Sequence, residues 1–201
     1  MVKPADQMGG LRERKRRDTL RRIAETGLQL FMENGYEATT LDAITVAAGI
    51  SRRTFFYYFK SKEDILLASQ GGGFEPALGP AMLEESPDQA PLLAVRNCLL
   101  KLASRLETEQ SIIVDRLLQS TEALRARKRS AFIDMEQTLL EAMCQLWSEP
   151  ERRDTLQIAA MVSMGALRLA IEYWRRENAK HRLAYHLQKT FDLLERNLRE
   201  K

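Results

Sequence analysis

The chain has 201 residues, 44% of them hydrophobic and 29% charged, with two cysteines and two histidines widely scattered. This composition excludes a disordered chain, argues against a disulfide scaffold or a zinc site, and holds no uninterrupted apolar run near the roughly 18–20 residues that cross a bilayer. The formal net charge of +3 lies in residues 1–70, with 12 Lys and Arg against 9 Asp and Glu, while residues 71–201 carry 19 of each. Residues 1–17 read as a basic arm that no apolar stretch follows, so no secretory signal is expected. Between positions 11 and 22 stand seven basic residues and two acidic ones, among them Arg14, Arg16 and Arg17. Such a concentration on an otherwise neutral chain suits a polyanion, and also suits a solvated helix start.

Leu20, Ile23, Ala24, Gly27, Leu28 and Phe31 fall on one helical face, and Asn34-Gly35 ends that helix with residues that tolerate positive φ. Thr39-Thr40 precedes a short helix through Leu41, Ile44 and Ala48, and Gly49 breaks it. Ser51 caps the next helix, which runs to about Phe59. Ser61 caps a fourth, with Glu63 and Asp64 in its first turn. Four of the six prolines then fall in residues 76–91, near Gly71, Gly72, Gly73 and Gly79. This stretch reads as the separator between a short N-terminal module and a longer one. Amphipathic helices are expected over residues 92–107, 109–120, 122–147, 152–178 and 181–199. Strand signals are nearly absent, so the fold class is all-α: a helix-turn-helix domain over 18–62 and a helical bundle over 63–201.

Residues 40–59 read as a helix-turn-helix. Ile44 and Ala48 must meet Phe55 and Phe59 at a steep angle, and Gly49 lets the backbone reverse between them. The second helix then offers Arg52, Arg53 and Thr54 to a major groove. There arginine can donate two hydrogen bonds to guanine, and the threonine methyl can touch thymine. Five successive aromatics, Phe55 to Phe59, point all round a helix, so some must be exposed. Phe55 and Phe59 are the core pair. Tyr57 and Tyr58 have hydroxyls to spend on phosphates or bases.

These residues resemble the N-terminal domain of TetR-family transcriptional regulators over about residues 18–68. The likeness is carried by Leu30-Phe31, Asn34-Gly35-Tyr36, Thr39-Thr40 and the run from Ala47 through Arg52, Arg53, Thr54 and the aromatics to Glu63. It implies a homodimeric, cytoplasmic, ligand-released repressor that binds a palindromic double-stranded DNA operator. It further implies that Thr40 touches a phosphate, that Ser51, Arg52, Arg53 and Thr54 stand at the reading end of the recognition helix, and that Tyr58 and Lys62 contact the DNA backbone. Phe56 departs from a tyrosine common in the family, and its contact could pass to Tyr57. Asp42 departs from a common arginine, so it is expected to face away from DNA or to pair with a neighbouring arginine.

The resemblance fades after about residue 70. It implies that the last two helices pair with those of a second copy, with Tyr173, Trp174, Leu187, Phe191 and Leu194 at the interface. A small-molecule effector pocket would lie among the central helices. Cys98, Leu102, Phe132, Met135, Trp147, Met161 and Met164 are candidate lining, with Arg168 able to orient a polar group; at helical spacing such residues also read as plain core. There is no Walker A loop, dinucleotide fingerprint or Gly-x-Ser-x-Gly elbow, so neither a cofactor nor an enzymatic activity is expected, and no membrane partner. A repressor, an activator and an effector-independent regulator share these residues. A helical small-molecule binder without DNA binding is a further reading, against which Arg52, Arg53, Tyr58 and Lys62 stand.

Overall fold

The computed structural model describes residues 5–69 and 74–199, and these residues hold helices and no strand. In chain order the helices are α1 (Ala5–Asn34), α2 (Leu41–Ala47), α3 (Arg52–Tyr58), α4 (Glu63–Ser69), α5 (Phe74–Leu83), α6 (Pro91–Leu102), α7 (Glu109–Leu118), α8 (Glu122–Leu146), α9 (Arg153–Arg176) and α10 (Leu183–Arg199). Short 3-10 turns at Ala103–Leu106 and Pro150–Arg152 follow α6 and precede α9.

The helices enclose two cores. The first, in the head, gathers Ile23, Leu28 and Phe31 from α1, Ile44 from α2, Phe55 from α3 with Phe59 just after it, and Ile65 and Leu66 from α4. Burying one such side chain stabilises by about 1.5–3 kcal/mol. Gly27 makes the approach of α4 to α1 possible: a Cβ there would stand 2.7 Å from Ile65 Cδ1. Gly49, at φ +64°, supplies the turn between α2 and α3. Because Ile65 and Leu66 are buried in the head, α4 packs on the near side of the boundary expected between residues 62 and 63. Val114 and Leu118 of α7 and Leu124 of α8 close the same core from the other side.

The second core centres on α9. Leu156, Ala160, Leu167 and Trp174 share a helical face and pack with Val95 and Leu99 of α6, Leu139 and Met143 of α8, and Leu187 and Phe191 of α10. By length and composition alone α9 with its preceding turn could cross a membrane. Its apolar face is instead consumed by this core, and Arg168 and Glu172 stand exposed elsewhere on it.

Three expectations need correction. The Gly/Pro-rich stretch is not only a separator, because residues 74–83 form α5 with Pro80 inside the helix. Phe74, Leu78 and Met82, spaced by four, are all but fully buried, and that burial outweighs the hydrogen bond Pro80 cannot donate. Pro76 stands in the first turn, where its missing N–H costs nothing; Gly71, Gly72 and Gly73 lie outside the described residues. The arm is not a separate element: α1 continues back through residues 12–17 to Ala5, and residues 1–4 lie outside the description. The helix expected over 92–107 tightens into the 3-10 turn after Leu102.

Candidate nucleic-acid interface and effector cavity

The surface around α3 is assembled by caps. Thr40 Oγ1 accepts a hydrogen bond from Ala43 N at 3.1 Å and starts α2. Ser51 Oγ accepts one from Thr54 N at 3.0 Å and starts α3, with Thr54 Oγ1 2.8 Å away. Each cap satisfies an N–H that the helix itself leaves open and fixes where the first turn points. Thr40, Ser51, Arg52 and Arg53 are consequently exposed together.

The two arginines of that turn differ. Arg52 is held in a two-point ion pair with Asp42 of α2, its Nε and Nη2 donating to the carboxylate oxygens at 2.5 and 2.8 Å. Asp42 therefore pairs with an arginine, one of the two outcomes expected for it. Arg53 is exposed and takes part in no ion pair among the described residues. Four positions on, Tyr57 is 72% exposed, while Tyr58 is half-buried and meets the Tyr57 ring edge-on at 5.0 Å. Phe56 is also exposed, without a hydroxyl to offer.

Arg14, Arg16 and Arg17 are exposed on α1. Arg16 is paired to Glu13 at 3.1 Å. That hydrogen bond holds its guanidinium above the usual range.

Lys62 stands differently from the backbone contact implied for it. Its Nζ donates to the carbonyls of Tyr36 and Thr39 at 2.9 and 3.2 Å and lies 4.2 Å from the centroid of the Tyr36 ring. It braces the loop before α2, leaving one ammonium proton for any other contact. Tyr36 also donates its hydroxyl proton to Glu63 Oε1 at 2.5 Å. Burial pushes the Glu63 carboxyl up, but the bonds from Tyr36 and Ser61 outweigh it and leave the group below its ordinary value. The phenol of Tyr36 is driven up, by burial first and then by Glu63. Sequence reasoning missed this Tyr36–Lys62–Glu63 brace, although Tyr36 and the Lys62-Glu63 pair both lay within the quoted motif.

In the body, a cavity of about 660 Å³ opens between α8 and α9. Phe132, Met161, Met164 and Arg168 line it, as the sequence suggests. Met135 lines a smaller hollow beside it. Cys98, Leu102 and Trp147 do not line either: all three are buried in the second core, Cys98 facing α5 at Leu78 and Trp147 the loop before α6. Trp147 spends its indole N–H on Pro87 O at 2.8 Å, and burial pushes the Cys98 thiol up to about 12.

Charge distinguishes this cavity. Arg125, Lys128, Arg129, Arg168 and Arg175 line it, against Glu136 and Glu172. Behind it lies Asp115 of α7, gripped by Lys128 Nζ at 2.5 Å and by Arg175 through Nε and Nη2 at 2.5 and 2.6 Å. Gln119 adds a donor at 3.1 Å. Burial lowers the pKa of both Lys128 and Arg175 despite that carboxylate. Lys128 and Arg175 carry no sequence signal, since nothing in the run from Arg125 to Arg129 says which cation points inward.

The expected dimer residues also need correction. Trp174, Leu187 and Phe191 are buried inside the subunit's own core, so a second copy cannot bury them further. Tyr173 and Leu194 are partly buried, with Leu194 packed against that same core. Among the described residues, the large apolar side chains that α9 and α10 leave exposed are Ile158, Met161, Leu169, Tyr185 and Leu193.

With that geometry in hand, three comparisons locate the chain among known proteins. Residues 23–69 match the family described as bacterial regulatory proteins, tetR family. The transcriptional regulator TcmR of Streptomyces glaucescens is 33% identical over 136 residues, spanning 63% of this chain and 59% of TcmR. IcaR of Staphylococcus aureus, named as a negative transcriptional regulator of the biofilm operon icaADBC, is 22% identical over 67% of this chain and 72% of its own length. Among solved structures, the fold is shared with Thermus thermophilus FadR, a TetR-family transcriptional repressor in complex with lauroyl-CoA. The TM-score is 0.56 and the identity 22%, covering 90% of this chain and 96% of that one. These proteins are regulators of transcription, not enzymes.

Proposed function

We propose that the chain, whose residues 23–69 match the tetR family of bacterial regulatory proteins, is a cytoplasmic, DNA-binding transcriptional repressor of that family. It acts as a homodimer on a palindromic operator and is released when a small molecule enters the cavity between α8 and α9. The observation that carries this reading is the first turn of α3: Arg53 stands exposed, in no ion pair among the described residues, on a head whose sequence holds all the net positive charge. Arg53 and Thr54 then read base edges, Thr40 and Tyr57 meet phosphates, and Arg14 and Arg17 follow the backbone. Arg52 joins them when a phosphate or base displaces Asp42.

Dimerisation uses the exposed apolar side chains Ile158, Leu169, Tyr185 and Leu193 on α9 and α10. Repression is supported by the negative regulator IcaR among the relatives, and a ligand in the body by the lauroyl-CoA held in the FadR fold. Ligand acts by its difference in affinity for two dimer states whose recognition helices are differently spaced. Selection from random double-stranded DNA tests the reading. The expected product is a two-fold symmetric site whose halves lie about 34 Å apart, or one helical turn. Selection of a single unrepeated half-site, or of no sequence, would overturn it.

A further inference from the structure

The cavity between α8 and α9 is unusual in what it does with charge. Asp115 is buried with two cations, Lys128 and Arg175, whose side chains are only 13% and 22% exposed. One carboxylate cannot neutralise both, and the partial compensation from Glu172 comes from an exposed position at the cavity wall. Uncompensated positive charge in a desolvated site is costly, and an anion relieves that cost. Arg168 stands on the same wall, exposed and in no ion pair among the described residues. Phe132, Met161 and Met164 give the wall an apolar stretch, while Arg125 and Arg129 at its edge are already paired with Glu122.

We propose that the cavity takes an amphipathic organic anion, whose charged head pairs with Arg168 and Arg175 and whose apolar body lies against Phe132, Met161 and Met164. The head competes with Asp115 for Arg175 and Lys128. This inference rests on reading the chain as a ligand-released regulator, and it supplies the release. Asp115 belongs to α7, and its helix neighbours Val114 and Leu118 are fully buried in the core of the head. While Asp115 is gripped, α7 is fastened at once to the cavity and to the DNA-binding domain. An anion that takes over Arg175 unfastens the first attachment, and α7 is then free to shift the head.

The test uses the full chain with 1-anilinonaphthalene-8-sulfonate, and the uncharged N-phenyl-1-naphthylamine as its neutral counterpart, both followed by fluorescence. The sulfonate should bind one per chain and at least about tenfold more tightly than the neutral compound, as charge-assisted pairing requires. Arg168→Gln should weaken the sulfonate about fivefold or more and leave the neutral compound unchanged. This side chain is exposed and in no ion pair among the described residues, so the variant keeps its fold, which circular dichroism verifies. Asp115→Asn removes the internal competitor and should tighten the sulfonate about tenfold; should that variant fail to fold, Arg168→Gln decides alone.

Equal affinity for the two compounds, or sulfonate binding indifferent to Arg168→Gln, overturns the proposal. Operator binding measured on the same samples separates the two claims. DNA binding without a preference for the anion sinks the ligand class only. Anion preference without DNA binding sinks the regulator and leaves the ligand class standing.

Discussion

At the tip of the head, Arg53 stands in solvent with no ion pair among the described residues, while in the body Arg175 grips Asp115 through a hydrogen bond from Nη2 and an ion-pair contact from Nε in a mostly buried setting. The same side chain is prepared for opposite tasks. An exposed cation displaces counterions condensed on a polyanion, so the charge part of its contribution is salt-sensitive, and its free guanidinium remains available to base edges. A buried cation feels a low dielectric, is screened little by salt, and binds a small anion only by giving up the partner it already has. Between these extremes lies Arg52, exposed but paired to Asp42, a pair that water and salt screen and that therefore adds little to stability. The gradient from free to gripped follows the proposed path from DNA to effector.

The contrast can be broken at several points. The largest effect should come from the shared support of the head. Phe55→Ala empties a fully buried site and should cost about 3–5 kcal/mol, read as a lowered thermal midpoint together with lost DNA binding. Equal loss of stability from Phe56→Ala, whose ring is exposed, would contradict the packing. Next, Arg53→Ala should cost about 1–3 kcal/mol in specific DNA affinity and nothing measurable in stability, by anisotropy and thermal melts respectively. Arg175→Ala should show a different pattern: it strands Asp115 with Lys128 alone, destabilises the fold by about 3 kcal/mol, and weakens DNA binding only indirectly, through the unfastened α7.

Two smaller effects sharpen the comparison. Thr40→Ala removes the cap of α2 and should cost about 1 kcal/mol of stability, whereas Thr39→Ala breaks hydrogen bonds to Leu30 O and Gly35 O in a buried loop and should cost at least as much. Asp42→Asn should change stability by less than about 1 kcal/mol. It should also strengthen DNA binding several-fold by removing a carboxylate from the interface and freeing Arg52. Weaker binding by that variant would show instead that Asp42 positions Arg52 for the DNA.

The head was almost wholly legible from sequence because each of its parts is a short-range device. Thr40 and Ser51 cap helices three residues ahead, Gly49 turns the chain, and Phe55 with Phe59 are four apart on one face. What escaped was the partner choice across the fold: Lys62 with the carbonyls of Tyr36 and Thr39, and α4 with α1 through Gly27. In the body the helices were legible and their orientations were not. Trp174, Leu187 and Phe191 have the spacing of an interface and of a core alike, and the packing of α6 and α10 against α9 decides for core. Cys98 and Met164 read equally well as cavity lining, and only the way α8 splays from α9 separates them. Residues 74–83 looked like a linker because proline punctuates them, yet the stripe Phe74, Leu78 and Met82 was there to be read.

The central claim is that Arg53 on an intact α3 reads DNA. Fluorescence anisotropy with the intergenic DNA upstream of the protein's own coding sequence, against a scrambled duplex, at two salt concentrations, with the wild-type chain and Arg53→Ala, tests it most directly. The wild-type chain should bind tightly, with a sequence preference and an affinity that falls steeply with salt, and the variant should lose the preference for the upstream DNA while remaining folded. Wild-type binding that ignores sequence, or an Arg53→Ala chain that keeps the full preference, would contradict it.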